Sequence, residues 1–195
     1  MLPLLLAAQL AHAGWTPLDE AGGCRYLRGA REASGATPIR VECDWGFPPA
    51  VVHRVIDAPG EHHRIFASLS QSETLSRSGG VERVRQVHHA TGISDREVVV
   101  EVRTSEIPGG RRYAWQKSAD QSGRKVDGVE PEMTVGFWEV IDREGGVRVV
   151  YEVRYLAGGS VPAFLVRWFQ GSGIQGVMKD LHRHLGQVSA AEGGP

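Results

Sequence analysis

The hydrophobic positions in the last quarter of the chain change their period within a few residues. From Val147 to Tyr155, valine and tyrosine occupy the odd positions, and arginine or glutamate occupies all but one of the even positions. A period of two predicts a strand with one apolar face and one polar face. After the turn-like segment Ala157–Ser160, apolar residues recur at spacings of three and four, which predicts an amphipathic helix over Val161–Val188. This end of the chain therefore predicts a strand that leads into a long helix.

Most of the preceding chain predicts further strands joined by short turns. The predicted strands cover residues 24–31, 37–45, 81–90, 96–107, 111–119 and 133–142, and two short helices are predicted at 50–57 and 61–69. The segment 70–80 is polar and predicts a turn. Together with the strand that begins at Val147, this order predicts an α+β helix-grip fold. In such a fold the long C-terminal helix closes a curved antiparallel sheet, here of about seven strands, over a cavity.

Composition restricts the class of protein only slightly. Of the 195 residues, 41% are hydrophobic and 23% are charged, which is ordinary for one folded domain. The formal net charge of −1 gives no reason to expect nucleic acid as a partner. We therefore expect a single domain over residues 14–195.

The first 13 residues differ from the rest of the chain. Leu2–Leu10 is an apolar run, and the Ala11-His12-Ala13 sequence that follows fits cleavage by a signal peptidase. This pattern predicts a signal peptide over residues 1–13 and a periplasmic or secreted protein. No lysine or arginine precedes the apolar run, so a short buried strand or helix is the alternative. The run is too short to span a bilayer.

Cys24 and Cys43 occupy two predicted strands and are symmetric about a probable turn at Ala33-Ser34. In an antiparallel pair centred on that turn they lie opposite each other, within the reach of a disulfide bond. We therefore predict a Cys24–Cys43 disulfide, which agrees with export to an oxidising compartment. Two buried free thiols are the alternative.

Three stretches of the chain resemble one known superfamily. They are Ile93–Val100, Gly136–Val140 with the Gly145-Gly146 hairpin and Tyr151–Val153 after it, and Gly158–Val166 at the entry to the predicted long helix. Over residues 24–185 the chain resembles the START-like (SRPBCC, helix-grip) superfamily of lipid-binding domains. One departure is the segment Gln170–Gly176, in which three glycines interrupt the helix pattern. Each glycine costs about 1 kcal/mol relative to alanine, which puts the continuity of that helix in doubt.

The resemblance implies a hydrophobic tunnel for a lipid, a sterol or a similar apolar ligand. It implies no shared catalytic set, and we expect no catalytic residue, no cofactor and no nucleic-acid partner. With it we expect a monomer that makes transient contact with membranes. The candidate cavity residues are Val98, Val100, Val102, Tyr113, Trp115, Trp138, Val149, Tyr151, Leu165 and Trp168. Tyr113 and Tyr151 are the candidates for orienting a polar head group, and a filled core is the alternative for the whole set.

Two other functions stay open. The eight histidines include the neighbours His62-His63 and His88-His89, whose spacing does not converge on a metal, so we expect solvated side chains and no metal site. A cyclase or hydrolase of the same fold would need polar groups that face inward. The alternation instead places charged residues such as Glu97 and Glu101 on the polar, outer face. A packed interaction module without a ligand is the third hypothesis.

Overall fold

The computed structural model describes residues 14–89, 91–125, 128–161 and 169–192. The predicted signal peptide lies outside the described residues, as do Leu165 and Trp168. The described residues contain nine strands: β1 Trp15–Ala21, β2 Cys24–Gly29, β3 Ile39–Trp45, β4 Leu69–Ser78, β5 Val81–His88, β6 Arg96–Ile107, β7 Gly110–Lys117, β8 Met133–Arg143 and β9 Gly146–Leu156.

All nine strands form one curved antiparallel sheet in the order β1-β2-β3-β9-β8-β7-β6-β5-β4. The strand with the clearest alternation, β9, lies inside the sheet between β3 and β8. Tyr151 of β9 pairs with Trp138 of β8 and with Val41 of β3. These three buried side chains lie on the same face, which is the inner face of the sheet. The α+β helix-grip fold predicted from the sequence is thereby confirmed.

The predicted strand number of about seven is too low, because both edge strands were missed. β1 is exposed along almost its whole length, and β4 covers most of the segment that was expected to be a turn. Both strands carry irregular pairing, at Pro17/Asp19 in β1 and at two places in β4. The exposed strand β1 needs no apolar alternation, and in β4, which packs against the 3₁₀ helix, the irregular pairing breaks the alternation, so the pattern gives no signal for either strand.

Four helical segments lie in the described residues, and the first of them matches its prediction to within one residue at each end. They are the α-helix α1 at Pro49–Ile56, a 3₁₀ helix at Pro59–Arg64, a π-helical turn at Phe169–Gly173 and the α-helix α2 at Ile174–Glu192. The second predicted short helix is thus a 3₁₀ helix that ends at Arg64. The glycine-rich segment marks a change of helix geometry, since the π-helical turn passes into regular α-helix at Ile174. Residues 162–168 of the predicted long helix lie outside the described residues. Within the described ranges, no helix combines the length and the apolar character needed to cross a membrane.

Cys24 and Cys43 form the predicted disulfide. They are directly paired across β2 and β3, with Cα atoms 4.0 Å apart, and both side chains are buried. The bond therefore ties the outer hairpin of the sheet to the strand that borders β9.

Part of the space between the sheet and the helices is filled. α1 packs against β8, β9 and α2, and its buried residues include Val51, Val52 and Val55. From α2, Met178 and Leu181 join the same core cluster. Short valine side chains are enough to fill the core here, because helices α1 and α2 supply the remaining side chains from the face opposite the sheet.

The outer face of β5 and β6 is also covered. Glu97 was expected on a solvated outer face, but its side chain is fully buried. Its Oε1 atom accepts hydrogen bonds from Nε of Arg85 at 2.6 Å and from the backbone N–H of Lys125 at 2.7 Å. The segment 118–125 lies over these strands, and Gln121 bonds the backbone of Val99 there. The charge of Glu97 is thus compensated inside the protein.

Candidate ligand-binding cavity

A cavity of about 420 Å³ lies between the inner face of the sheet and the start of α2. Its walls come from β3 and β5–β9, from the 3₁₀ helix and from the segment that joins β9 to the C-terminal helices. Six of the residues expected at a cavity lie on its wall: Val100, Val102, Tyr113, Trp115, Trp138 and Tyr151.

Two other expected residues do not reach the cavity. Val149 is fully buried in the core cluster that includes α1, and it pairs with Val140. Val98 packs with Val84 and Val100 in a small cluster between β5 and β6. Alternation places a side chain on the inner face, but it does not say whether a helix fills the space above it.

The part of the wall formed by β7, β8 and β9 is aromatic. The ring of Trp138 is parallel to Phe66, with centroids 6.1 Å apart and an interplanar angle of 9°. On its other side Trp138 contacts Tyr151 at 4.2 Å, and Tyr151 in turn stacks on Trp115 at 5.7 Å. These rings give the cavity flat, rigid and apolar walls.

Gly136 makes room for one of these rings. It lies opposite Trp115 in β8, and a Cβ atom there would collide with the Trp115 indole and with the carbonyl of Glu152. The indole can therefore lie across the inner face, where its Nε1–H donates to Oγ1 of Thr134 at 3.2 Å. A glycine at this position is required by the close approach and not by a turn.

The hydroxyl of Tyr113 is already engaged by the protein. Nε2 of His53 lies 2.9 Å from the Asp142 carboxylate, so that nitrogen carries the proton, and Nδ1 is free to accept from the Tyr113 hydroxyl at 2.9 Å. Arg111 also hydrogen-bonds to Tyr113, and burial raises the pKa of the Tyr113 phenol to about 12. Of the two tyrosines proposed as head-group contacts, Tyr113 is thus a wall residue. Among the described residues, no hydrogen bond engages the Tyr151 hydroxyl.

Sequence reasoning missed the polar side chains of the cavity. His62 and His88 were expected to be solvated, but both line the wall, and burial lowers the pKa of each imidazole to about 4. Gln86 lies on the wall as well. Gln86 and His88 follow Val84 at alternate positions of β5, so all three side chains lie on the inner face of the sheet. This alternation was the available signal that Gln86 and His88 line the cavity. His62 stands three, four and seven residues before Ile65, Phe66 and Leu69, which is the spacing of an apolar helix face and was the available signal for its burial.

The mouth of the cavity lies near one end of the sheet. The lining residues most exposed to solvent are His89, Glu132 and Gly159. Arg96, which pairs with His88, directs its guanidinium to the backbone carbonyls of Ala157 and Gly158, both at 3.4 Å. The segment that follows β9 is thereby held beside the opening.

No protein-family profile matches the sequence. No curated protein matches it either.

Solved structures do match the fold. The STAR-related lipid transfer protein of Xanthomonas axonopodis has a TM-score of 0.78 at 20% identity, over 88% of this chain and 98% of that one. Human StAR-related lipid transfer protein 5 has a TM-score of 0.82 at 14% identity, over 94% and 92% of the two chains. The Zhui aromatase/cyclase of Streptomyces sp. R1128 has a TM-score of 0.59 at 16% identity, over 81% and 98%. The protein therefore has the START-like helix-grip fold, which these similarities show without indicating a ligand.

Proposed function

We propose that this protein is an exported carrier that holds one apolar small molecule in the cavity between the sheet and the C-terminal helix. The observation that supports this most is the cavity itself. Its volume of about 420 Å³ falls within the usual range of small-ligand sites, about 300–1,000 Å³. A filled interaction module would have no use for such a space, because interiors ordinarily pack to crystal-like density.

Binding by such a carrier is mainly a matter of solvation. Each Å² of apolar ligand surface that leaves water contributes about 25 cal/mol, and rigid aromatic walls lose little entropy when they contact a ligand. Two of the similar structures are lipid transfer proteins by name, which fits this role. Transfer needs no covalent step, and the protein only has to bind, shield and release the ligand.

Export and membrane contact complete the proposal. A Cys24–Cys43 disulfide is typical of proteins in oxidising compartments, and it agrees with the signal peptide predicted over residues 1–13. Apolar ligands reside in membranes, so we propose that the cavity mouth touches a membrane transiently to load and unload. We propose that the carrier acts as a monomer.

Native mass spectrometry of protein purified from its own compartment tests the carrier role. We expect one small molecule per chain, released into organic solvent with unchanged mass, and a mature chain that begins at Gly14. Ligand-free protein that also fails to bind any fluorescent apolar probe would contradict the proposal. A retained Met1 would contradict export alone.

One observation favours an enzyme of the same fold as the second candidate. His62 and His88 are inward-facing imidazoles with low pKa values, and a neutral imidazole is able to act as a base. Within the described wall, however, the only carboxylate is that of Glu132, and it lies at the exposed mouth. If the extracted molecule is converted by wild-type protein but not by His62→Ala or His88→Ala, the protein is an enzyme.

A further inference from the structure

Two inward polar side chains interrupt the apolar face of β5. Val84, Gln86 and His88 are alternate residues of β5, so their side chains lie on the same, inner face of the sheet. In the neighbouring strand β6, Val98 pairs with Gln86 and Arg96 pairs with His88. Among the described residues, nothing hydrogen-bonds the Gln86 side-chain amide, and the buried Nε2 atom of His88 has no partner either. Leaving the buried Nε2 atom of His88 unpaired is unfavourable, and the half-buried Gln86 amide lies beside it on the same wall, so the two groups together point to a ligand that pairs with them.

The charged groups around this part of the cavity are already compensated. The Arg96 guanidinium is bonded to the carbonyls of Ser94, Ala157 and Gly158. Nζ of Lys117, on the neighbouring stretch of the inner face, lies 2.8 Å from the carbonyl of Pro131 and also pairs with Glu130.

The described lining accordingly contains no cation for an acidic head group. Glu132 is its single carboxylate and is exposed at the mouth, and His89 at the rim bonds Asp95 at 2.8 Å. Against this described lining, a charged head group would lose its hydration without gaining an opposite charge, which is strongly unfavourable. An uncharged group that both donates and accepts, such as a hydroxyl, suits an amide and an imidazole.

The opposite side of the cavity sets the shape of the ligand body. Phe66 and Trp138 are parallel, and Trp115 and Tyr151 stack, so the wall consists of flat rings. Flat walls pack best against a flat ligand. The cavity volume of about 420 Å³ lies in the lower part of the usual range of small-ligand sites, which suits a compact molecule.

We propose that the ligand is an uncharged compound with a flat ring body and a hydroxyl group, and that Gln86 and His88 select the hydroxyl. The ring body enters first and lies against Trp138 and Tyr151. The hydroxyl remains on the side of β5 towards the mouth, where both polar side chains reach it. This inference rests on the carrier function and specifies the ligand class of that cavity.

A series of pyrene probes with one body and different ends tests the inference. Pyrenebutanol, butylpyrene, pyrenebutyrate and pyrenebutylammonium are titrated into the full oxidised protein, and binding is followed by energy transfer from tryptophan. We expect pyrenebutanol to bind roughly 5- to 100-fold more tightly than each of the other three, the range of one or two buried hydrogen bonds. In the double variant Gln86→Val/His88→Val, the preference over butylpyrene should disappear while butylpyrene still binds.

Gln116→Val is the matched control, because Gln116 is exposed on the outer face of β7. It should leave the series unchanged. Equal affinity for all four probes, or a preference for the carboxylate or the ammonium, overturns the inference and leaves the carrier function intact. Failure of every probe to bind overturns both. The wild-type series decides on charge selectivity even if the double variant does not fold.

Discussion

The Nδ1 atom of His53 lies 2.9 Å from the hydroxyl oxygen of Tyr113, and this contact joins helix α1 to strand β7. Because Asp142 fixes the opposite nitrogen of the ring, the Tyr113 proton is directed away from the cavity. The tyrosine therefore has a role in holding α1 on the sheet, and its ring alone faces a ligand.

Tyr113→Phe should consequently separate stability from binding. The change removes the bonds to His53 and Arg111 but keeps the aromatic wall, so we expect a loss of about 1–2 kcal/mol in the free energy of unfolding. Affinity for an apolar probe should change less than about twofold. Urea unfolding and probe titration measure the two quantities, and a large loss of affinity at unchanged stability would show that the hydroxyl serves the ligand.

A matched pair of valine replacements tests whether the cavity is real. Val102 lines the cavity and is only partly buried, so Val102→Trp should fill the space, weaken probe binding at least tenfold and cost little stability. Val149 is fully buried in the filled core, so Val149→Trp should overpack it and destabilise by about 1–3 kcal/mol or more. Thermal unfolding and probe titration check both variants. Equal destabilisation at the two sites would mean that the interior is filled throughout.

Burial of His62 should make stability depend on pH. Its imidazole has an ordinary pKa near 6.5, which burial lowers to about 4 in the folded protein, although hydrogen bonds to the backbone of Ile56 and Val55 oppose this lowering of the pKa. Between these values the unfolded chain binds a proton that the folded chain does not, so stability falls as the pH falls from 6.5 towards 4. The contribution of His62 is about 3 kcal/mol over that interval. Urea unfolding at several pH values measures it.

His62→Gln should flatten the pH dependence, and His88, whose pKa is lowered in the same direction, should account for part of what remains. The double variant His62→Gln/His88→Gln should therefore flatten the pH dependence further than His62→Gln alone. Identical slopes in wild type and His62→Gln would contradict this origin.

The disulfide should contribute through the unfolded chain. Cys24 and Cys43 are 19 residues apart, and by the loop-entropy relation a closed loop of this size is worth about 3 kcal/mol. We expect that loss in Cys24→Ala/Cys43→Ala by urea unfolding. The unreduced wild-type protein, denatured and titrated with Ellman's reagent, should show no free thiol.

Glycine-to-alanine changes at two sites should have opposite effects. Gly136→Ala drives a methyl group into Trp115 and the Glu152 backbone, so it should destabilise by about 1–3 kcal/mol. Gly186 lies within α2 with nothing within 4 Å of an added Cβ, so Gly186→Ala should stabilise by about 1 kcal/mol. Thermal unfolding measures both. A neutral Gly136→Ala would mean that Trp115 can move aside.

The sequence predicts best those elements whose burial differs between their two faces. The bounds of β6 match the predicted strand, and β9 matches to within one residue at each end, because inner valines alternate with outer charges there. β4 was missed because its irregular pairing breaks the alternation. Local periodicity carries no information about which strand lacks a neighbour.

The cavity could be predicted only in part, and for a related reason. Alternation brought Val102, Trp115 and Tyr151 to the inner face, where the structure places them on the wall. It could not exclude Val149, because α1 fills that region through contacts distant in sequence. The inner face was predicted from its apolar residues, so a polar residue on that face, such as Gln86, could not be found by the same rule.

The two ends of the sheet have a consequence for concentrated protein. Because the nine strands do not close on themselves, β1 and β4 each present a row of backbone groups to solvent. Pro17 and the irregular pairing beside it disrupt the row on β1, and two such irregularities bend the row on β4. An incoming strand from a second molecule finds no straight ladder to extend. Strand addition between molecules, the first step towards fibrils, is thereby disfavoured even in a concentrated solution of the protein.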